Sequence, residues 1–207
     1  MTLDDALAEC PVVAILRGVR PDEVLDHTHV LFAAGVRGIE IPLNSPDPLD
    51  SIGKAAAAYG GRMVVGAGTV LTAEQVEAVA EAGGRIIVAP NTCVEVIRRA
   101  VKLGLAPAPG FATATEAFTA LEAGARHLKL FPAVTYGPAH LKQLKAVLPS
   151  AAVIWAVGGV GPQSMADWWA AGARAFGLGG ELYRAGQSVA ETAEKAIRVM
   201  AAARALS

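Results

Sequence analysis

The chain has 207 residues, of which 53% are hydrophobic and 18% charged, and its formal net charge is -1. This length and composition predict one compact domain with a large core, because barrels of about 200 residues commonly form a single domain. The near-neutral charge gives no reason to expect a nucleic acid or an anionic membrane surface as a partner.

The cysteine content and the N-terminus predict a cytoplasmic protein. Cys10 and Cys93 are the only cysteines, too few for a disulfide framework, which fits a reducing compartment. The first residues are acidic and lack the basic and apolar regions of a signal peptide. No uninterrupted apolar run approaches the roughly 18 residues of a membrane span.

Short runs rich in β-branched residues alternate along the chain with longer runs rich in alanine, leucine and glutamate. This alternation is typical of a parallel α/β fold. The predicted strands are Val12–Leu16, Gly38–Ile41, Met63–Val65, Arg85–Val88, Leu105–Ala108, His127–Phe131, Val153–Val157 and Arg174–Gly177. The predicted helices include Pro21–Ala34, Thr72–Ala82, Cys93–Leu103, Thr115–Ala123, Pro138–Val147, Pro162–Ala171 and Ser188–Ala203.

Eight strand–helix units in about 200 residues predict a closed (β/α)8 barrel, a TIM barrel at the short end of its size range, with residues 1–207 as one domain. An open doubly wound sheet is the structural alternative. The first strand runs into Leu16-Arg17-Gly18-Val19, and no G-x-G-x-x-G enters a helix there, so a dinucleotide-binding fold gains no support.

One lysine interrupts a run that otherwise resembles a buried strand. Lys129 stands between Leu128 and Leu130, and strand alternation places its amine on the face opposite to the two leucines. Burial lowers the pKa of a lysine, and a neutral amine is a nucleophile for ketones. The alternative is a lysine whose side chain extends from the strand end to reach water.

Glu40 repeats the pattern of Lys129. It lies between Ile39 and Ile41, so alternation turns its carboxylate away from the two isoleucines and toward the barrel interior. A carboxylate beside an amine can act as a general acid and base at a reacting carbon. The alternative is that Glu40 and Lys129 form a buried ion pair without a catalytic role.

Glycines and an arginine follow other predicted strands, at the barrel end where active sites lie. Gly158-Gly159 and Gly179-Gly180 follow the last two strands, whose loops often bind phosphate through backbone N–H groups. They could instead be ordinary strand–helix turns. Arg17 could hold a carboxylate in bidentate geometry or only cover the barrel mouth. The histidines lack the spacing of a zinc site, so no metal is expected.

The chain contains, in this order, the segments Gly38–Pro46, Val65–Leu71, Pro109–Thr113, Leu128–Pro132 and Ala156–Val160. Together they resemble the 2-keto-3-deoxy-6-phosphogluconate aldolase family, and the resemblance covers nearly the whole chain. Within the family, Arg17-Gly18, Pro42-Leu43-Asn44-Ser45-Pro46 and the Leu182-to-Ser188 run are similar to the galactonate-type branch. Gluconate-type members more often have an arginine, associated with the substrate carboxylate, where this chain has Asn44, and Arg17 is expected to replace it.

The resemblance implies a class I aldolase that needs no cofactor or metal and acts, as a homotrimer of (β/α)8 subunits, on a phosphorylated keto acid. It implies that Lys129 forms a Schiff base and that Glu40 is the general acid and base. One hydroxyl contact is open to question, because this chain has a glycine in the last loop where the family has serine. The implied substrate contacts are Thr69, near the pyruvate part, and Arg17, Pro109, Gly158, Gly159, Gly179 and Gly180.

Other functions remain open at this stage. The chain could be an aldolase for 2-keto-3-deoxy-6-phosphogluconate or 4-hydroxy-2-oxoglutarate. It could be a phosphate-binding barrel isomerase, which would need acid and base groups but no lysine nucleophile. It could also be a non-catalytic sugar-phosphate-binding protein, in which Glu40 and Lys129 are only structural.

Overall fold

The computed structural model describes residues 1–206, and within them nine parallel strands form one nearly closed barrel. The strands are β1 (Val12–Ile15), β2 (Gly38–Pro42), β3 (Val64–Gly68), β4 (Ile86–Val88), β5 (Ala106–Ala108), β6 (Gly110–Phe111), β7 (His127–Leu130), β8 (Val153–Val157) and β9 (Ala175–Leu178). Their order is β5-β4-β3-β2-β1-β9-β8-β7-β6. The two end strands are neighbours in the chain, so the sheet curls round almost completely. The predicted α/β class is confirmed, and the open doubly wound alternative is wrong.

Helices follow the strands and cover the barrel. Several begin with a hydroxyl cap: the Thr72 and Thr113 side chains accept hydrogen bonds from the backbone N–H groups of Gln75 and Glu116, in the first turns of the helices that follow them. No helix formed by residues 1–206 is both long and apolar enough to cross a membrane. The helices are α1 (Leu3–Glu9), α2 (Val24–Ala34), α3 (Pro48–Tyr59), α4 (Ala73–Glu81), α5 (Val94–Lys102), α6 (Ala114–Glu122), α7 (Ala133–Lys145), α8 (Met165–Ala170) and α9 (Val189–Arg204).

Strand alternation divides the apolar side chains into two cores. In β8, Val153, Trp155 and Val157 point into the barrel, whereas Ile154 and Ala156 pack in the layer between the strands and the helices. Every residue of β2, β3, β7 and β9 is buried, as expected for parallel strands covered on both faces. A polar side chain at an inward position therefore lies inside the barrel and away from bulk water.

The predicted fifth strand, Leu105–Ala108, is where the barrel departs from eight strands. It corresponds to β5, which pairs with β4, and a further short strand outside the predicted set, β6, follows it and pairs with β7. Pro109 separates the two and has no N–H to contribute to a ladder. Its carbonyl still accepts the Lys129 N–H at 2.8 Å, so β7 is hydrogen-bonded across the break.

A helix outside the predicted set, α1, closes the barrel at the N-terminal ends of the strands. Its Leu3 and Ala6 side chains join the interior core. At the start of β7, Trp155 Nε1–H donates to His127 Nδ1 at 3.2 Å, and His127 Nε2 lies 3.3 Å from Asp4 Oδ1 on α1. A short acidic segment gives little periodicity from which to predict a helix, and its role depends on the tertiary structure.

The helix predicted from Pro138 begins earlier in the structure. Ala133 starts α7, and Gly137 interrupts it with φ 76 and ψ 164, outside the helical region. Pro138 then follows, so the predicted start coincides with the point where regular helix resumes, since proline suits the first turn.

Candidate active site

A cavity of about 790 Å³ opens at the C-terminal ends of the strands. It contains eight of the nine residues proposed as site residues from the sequence. Pro109 is the exception: it is absent from the cavity lining and contributes its carbonyl to the β7 backbone instead. The eight that line the cavity are Arg17, Glu40, Thr69, Lys129, Gly158, Gly159, Gly179 and Gly180.

Glu40 lies on β2 with its carboxylate inside the barrel. The residue is 3% exposed, and its Oε2 is buried without a hydrogen-bond partner within the part of the chain that the structure describes. The neighbouring strand accommodates the carboxylate because residue 68 is a glycine, where a Cβ would overlap the carboxylate atoms. Burial raises the pKa of Glu40 to about 7, against the opposing attraction of Lys129 and Arg17.

Lys129 lies on β7, between two leucines that pack in the outer core. The residue is 6% exposed, which does not fit a lysine that extends to bulk water. Its Nζ stands 4.5 Å from the centre of the Phe131 ring. Burial lowers the pKa of Lys129, the nearby Glu40 opposes that change, and the positive charge of Arg17 adds to it.

Glu40 and Lys129 are not joined as an ion pair. Neither side chain belongs to any salt bridge formed among residues 1–206. The two groups nonetheless affect each other's pKa across the cavity. An acid of near-neutral pKa and an amine of depressed pKa therefore line the same cavity without forming a salt bridge.

Arg17 is held in place by the loop that follows β2. Its Nη1 donates to Asn44 Oδ1 at 2.6 Å, and the next backbone N–H, of Gly18, donates to Ser45 Oγ at 2.9 Å. Ser45 is itself fixed by a hydrogen bond from its N–H to the Pro42 carbonyl. The Asn44-Ser45 pair thus clamps both the side chain of Arg17 and the loop that carries it.

Two kinds of unusual backbone conformation occur at the cavity. Thr69 has φ 57, a left-handed conformation that costs free energy for a β-branched residue and that occurs most often at functional sites. Gly158 and Gly159 have φ 94 and 72, which side chains rarely adopt. This conformation fits a turn whose N–H groups face a ligand.

Residues that were not proposed from the sequence also line the cavity. The loop after β9 contributes Glu181, Tyr183 and Arg184, and the loop after β8 contributes Gln163 and Ser164. Two signals pointed to them: their positions a few residues beyond the glycine pairs and, for Tyr183 and Arg184, their place in the Leu182-to-Ser188 run that resembles the galactonate-type branch. A loop has no periodicity that tells which way its side chains point. Among residues 1–206, no group of three or more His, Cys, Asp or Glu side chains is arranged to hold a metal ion.

We expect Glu40→Gln to stabilise the folded protein above pH 7. The Glu40 pKa is 4.5 as a free group and about 7 in the fold, so over that range the folded protein keeps a proton that the unfolded chain loses. The parent therefore loses stability as the pH rises from 4.5 to 7, and a glutamine escapes that loss. The free energy of unfolding of the variant should exceed the parent's by up to about 3 kcal/mol above pH 7.

Urea unfolding at pH 4.5 and above pH 7 measures this difference. Glu122→Gln, which changes an exposed glutamate at the end of α6, is the matched control and should show no such growth with pH. A Glu40→Gln difference that stays constant across this range would contradict the raised pKa.

Comparison with known proteins places the chain in a family. The sequence matches the aldolase family described as KDPG and KHG aldolase over residues 3–200. It is 54% identical over 186 residues to the 2-dehydro-3-deoxy-6-phosphogalactonate aldolase of Escherichia coli (strain K12), covering 90% of this chain and 91% of that protein.

Two solved structures share the fold over nearly the whole chain. One, described as native KDPGal, matches with a TM-score of 0.93 and 54% identity, covering 95% of each chain. A 2-keto-3-deoxy-6-phosphogluconate aldolase from Zymomonas mobilis ATCC 29191 matches with a TM-score of 0.87 and 26% identity over 97% of each chain. The resemblance inferred from the sequence is confirmed, and the chain belongs to the KDPG and KHG aldolase family.

Proposed function

We propose that this chain is a class I aldolase, a carbon–carbon lyase that cleaves 2-dehydro-3-deoxy-6-phosphogalactonate into pyruvate and D-glyceraldehyde 3-phosphate. The observation that carries the proposal is the buried Lys129, which forms no salt bridge with any of residues 1–206 and lines the cavity together with Glu40. The name of the relative at 54% identity supports the choice of substrate, since the gluconate aldolase compared here is only 26% identical.

Lys129 supplies the nucleophile in this mechanism. Its lowered pKa leaves a larger share of the amine neutral than an exposed lysine would have. The neutral amine attacks the C2 ketone of the substrate, and loss of one water gives an iminium. Arg17 assists because its fixed positive charge disfavours a second cation at Lys129.

Glu40 moves the protons. A pKa of about 7 suits a group that must both accept and donate near neutral pH. As the carboxylate, Glu40 takes the proton of the C4 hydroxyl while the C3–C4 bond breaks and its electron pair passes to the iminium. The aldehyde product leaves, the resulting enamine is protonated at C3, and hydrolysis of the iminium releases pyruvate and restores Lys129.

The rest of the cavity binds the two ends of the substrate. We assign the carboxylate end to Arg17, whose guanidinium is already oriented by Asn44. Thr69 contacts the pyruvate part, and its left-handed backbone supports a positioning role. The two glycine pairs, at residues 158–159 and 179–180, bind the phosphate through backbone N–H groups.

We also propose how the chain is organised and assembled. Because Pro109 alone separates β5 from β6, the two count as one interrupted strand of a (β/α)8 barrel that forms a single domain. The homotrimer implied by the family resemblance stays a prediction, to which exposed apolar side chains such as Val134 (64%) and Tyr136 (39%) lend support. A cytoplasmic location stays a prediction as well, supported by two free cysteines.

The proposed Schiff base predicts covalent labelling of Lys129. Borohydride added with pyruvate should inactivate the protein and leave a reduced adduct of about 72 Da on Lys129, as read by peptide mass spectrometry. Lys129→Ala should lose labelling and turnover, whereas Glu40→Gln should slow turnover by about 10²–10⁴-fold. Lys142→Ala, which removes an exposed lysine on α7, is the matched control. An adduct that persists in Lys129→Ala would refute the assignment.

The clamp on Arg17 predicts that Asn44→Ala weakens pyruvate binding. Loss of the 2.6 Å hydrogen bond frees the guanidinium, so half-maximal borohydride labelling should require about tenfold more pyruvate. In an Arg17→Ala background, Asn44→Ala should add almost nothing, because the group it positions is gone. Additive effects of the two substitutions would mean that Asn44 does not act through Arg17.

The substrate assignment predicts a preference at C4. The kcat/KM for 2-dehydro-3-deoxy-6-phosphogalactonate should exceed that for the gluconate epimer by about tenfold or more, and 4-hydroxy-2-oxoglutarate, which has no phosphate, should be poorer still. Steady-state assays with a coupled pyruvate detector measure all three. A higher kcat/KM for the gluconate epimer would instead assign the chain to the gluconate-type branch of the family.

A further inference from the structure

An arginine with no salt-bridge partner lies at the rim of the cavity, among the glycine pairs. Arg184 lines the cavity together with Gly158, Gly159, Gly179 and Gly180. It is exposed, and it belongs to no salt bridge within the described part of the chain. No carboxylate among the described residues therefore holds its guanidinium, which is available to a ligand.

The guanidinium of Arg184 lies directly over Gly180. A Cβ built on Gly180 would stand 3.3 Å from Arg184 Nε and 3.6 Å from its Nη2. The absence of a side chain at residue 180 therefore provides the space in which the guanidinium lies. The guanidinium therefore lies beside the backbone of the Gly179-Gly180 loop, in the lining of the same cavity.

The loop that carries Arg184 is anchored on both sides. Before it, the Tyr183 hydroxyl donates to Glu23 Oε1 at 2.8 Å. After it, Gln187 Nε2 donates to the Leu182 carbonyl at 2.7 Å and Lys195 Nζ donates to Gln187 Oε1 at 2.7 Å. The backbone of Arg184 is thus fixed, which lowers the entropy lost when its side chain binds an anion.

The anchor before Arg184 is buried as well as hydrogen-bonded. Tyr183 is 2% exposed, and its ring packs edge-on against His27 with 4.8 Å between ring centres. On the other side, Ala185 packs against the loop after β1, since a Cβ on Gly18 would stand 2.9 Å from the Ala185 Cβ. The loop that carries Arg184 therefore touches the loop that carries Arg17.

The charges along the cavity show what Arg184 can bind. The cationic residues of the lining are Arg17, Lys129 and Arg184, and the anionic ones are Glu40 and Glu181. In the proposed reaction Lys129 reacts with the ketone of the substrate, and Arg17 binds its carboxylate. A phosphate at the glycine loops would meet neutral N–H groups and the anionic Glu181, which lies beside Gly161. Arg184 supplies a positive charge there that offsets Glu181, and arginine matches phosphate oxygens in bidentate geometry.

We propose that Arg184 binds the phosphate group of the substrate and so selects phosphorylated over unphosphorylated sugar acids. The identity of the phosphate as part of a substrate rests on the proposed aldolase function. The assignment of Arg184 as an anion-binding residue rests only on the cavity, the glycine loop and the anchored loop.

Binding of inorganic phosphate to the parent protein, measured by calorimetric titration, tests the anion site without any turnover. Arg184→Ala should weaken this binding by about tenfold or more, and Arg184→Lys should fall between the two, because lysine keeps the charge and loses the bidentate geometry. Arg198→Ala, which removes an exposed arginine of α9, is the matched control and should bind phosphate as the parent does. Unchanged binding in Arg184→Ala, or equal weakening in Arg198→Ala, would overturn the proposal.

Steady-state kinetics then distinguish a loss of selection for phosphorylated substrates from a general loss of activity. With the phosphorylated substrate, Arg184→Ala should raise KM by about tenfold or more with a smaller change in kcat, and with the unphosphorylated sugar acid its KM should change little. An equal rise in KM for both substrates would overturn the selective role.

Failure of the aldolase assignment can be told apart from failure of the Arg184 assignment. If the parent lacks pyruvate-dependent labelling of Lys129 but loses phosphate binding on Arg184→Ala, the reaction is wrong and the anion site stands. If labelling occurs and phosphate binding does not depend on Arg184, the reaction stands and the Arg184 proposal is wrong.

Discussion

The site depends on one geometric constraint, the two-residue alternation of side chains along strands that are buried on both faces. Once Ile39, Ile41, Leu128 and Leu130 pack in the outer core, their neighbour in each strand must enter the barrel. The barrel holds these inward groups away from bulk water. Their altered pKa values are therefore a consequence of packing rather than of a special local motif.

The separation of the acid from the amine matters as much as their burial. A close ion pair between Glu40 and Lys129 would hold both groups charged, which lowers the carboxyl pKa and raises the amine pKa. In this cavity they form no salt bridge, and burial outweighs their attraction. Gly68 contributes to this arrangement because its missing side chain leaves the carboxylate its space. The cost is a buried carboxylate oxygen without a partner, a penalty of the kind that proteins retain at functional sites.

Much of this could be predicted from the sequence because alternation and strand ends are local patterns. The inward positions of Glu40 and Lys129 follow from their two neighbours in each strand, and the glycine pairs from their position after a strand. The catalytic roles of Glu40 and Lys129 came from the family resemblance. The clamp of Asn44 on Arg17 could not be predicted, because the partners are 27 residues apart and meet only in the fold. Arg184 lies in a loop without periodicity, and the break at Pro109 depends on how two neighbouring strands pair.

The helix α1, at the N-terminal end of the barrel, determines how molecules enter and leave the cavity. Leu3 and Ala6 of α1 close the N-terminal end of the barrel, beside the contact between His127 and Trp155. Within the described chain, the cavity therefore opens only toward the C-terminal ends of the strands. Any molecule that binds in the cavity must therefore enter and leave through this one opening. In the proposed reaction, the fragment attached to the buried Lys129 lies deeper than the one bound at the more exposed glycine loops, so the outer fragment leaves first and the inner one follows.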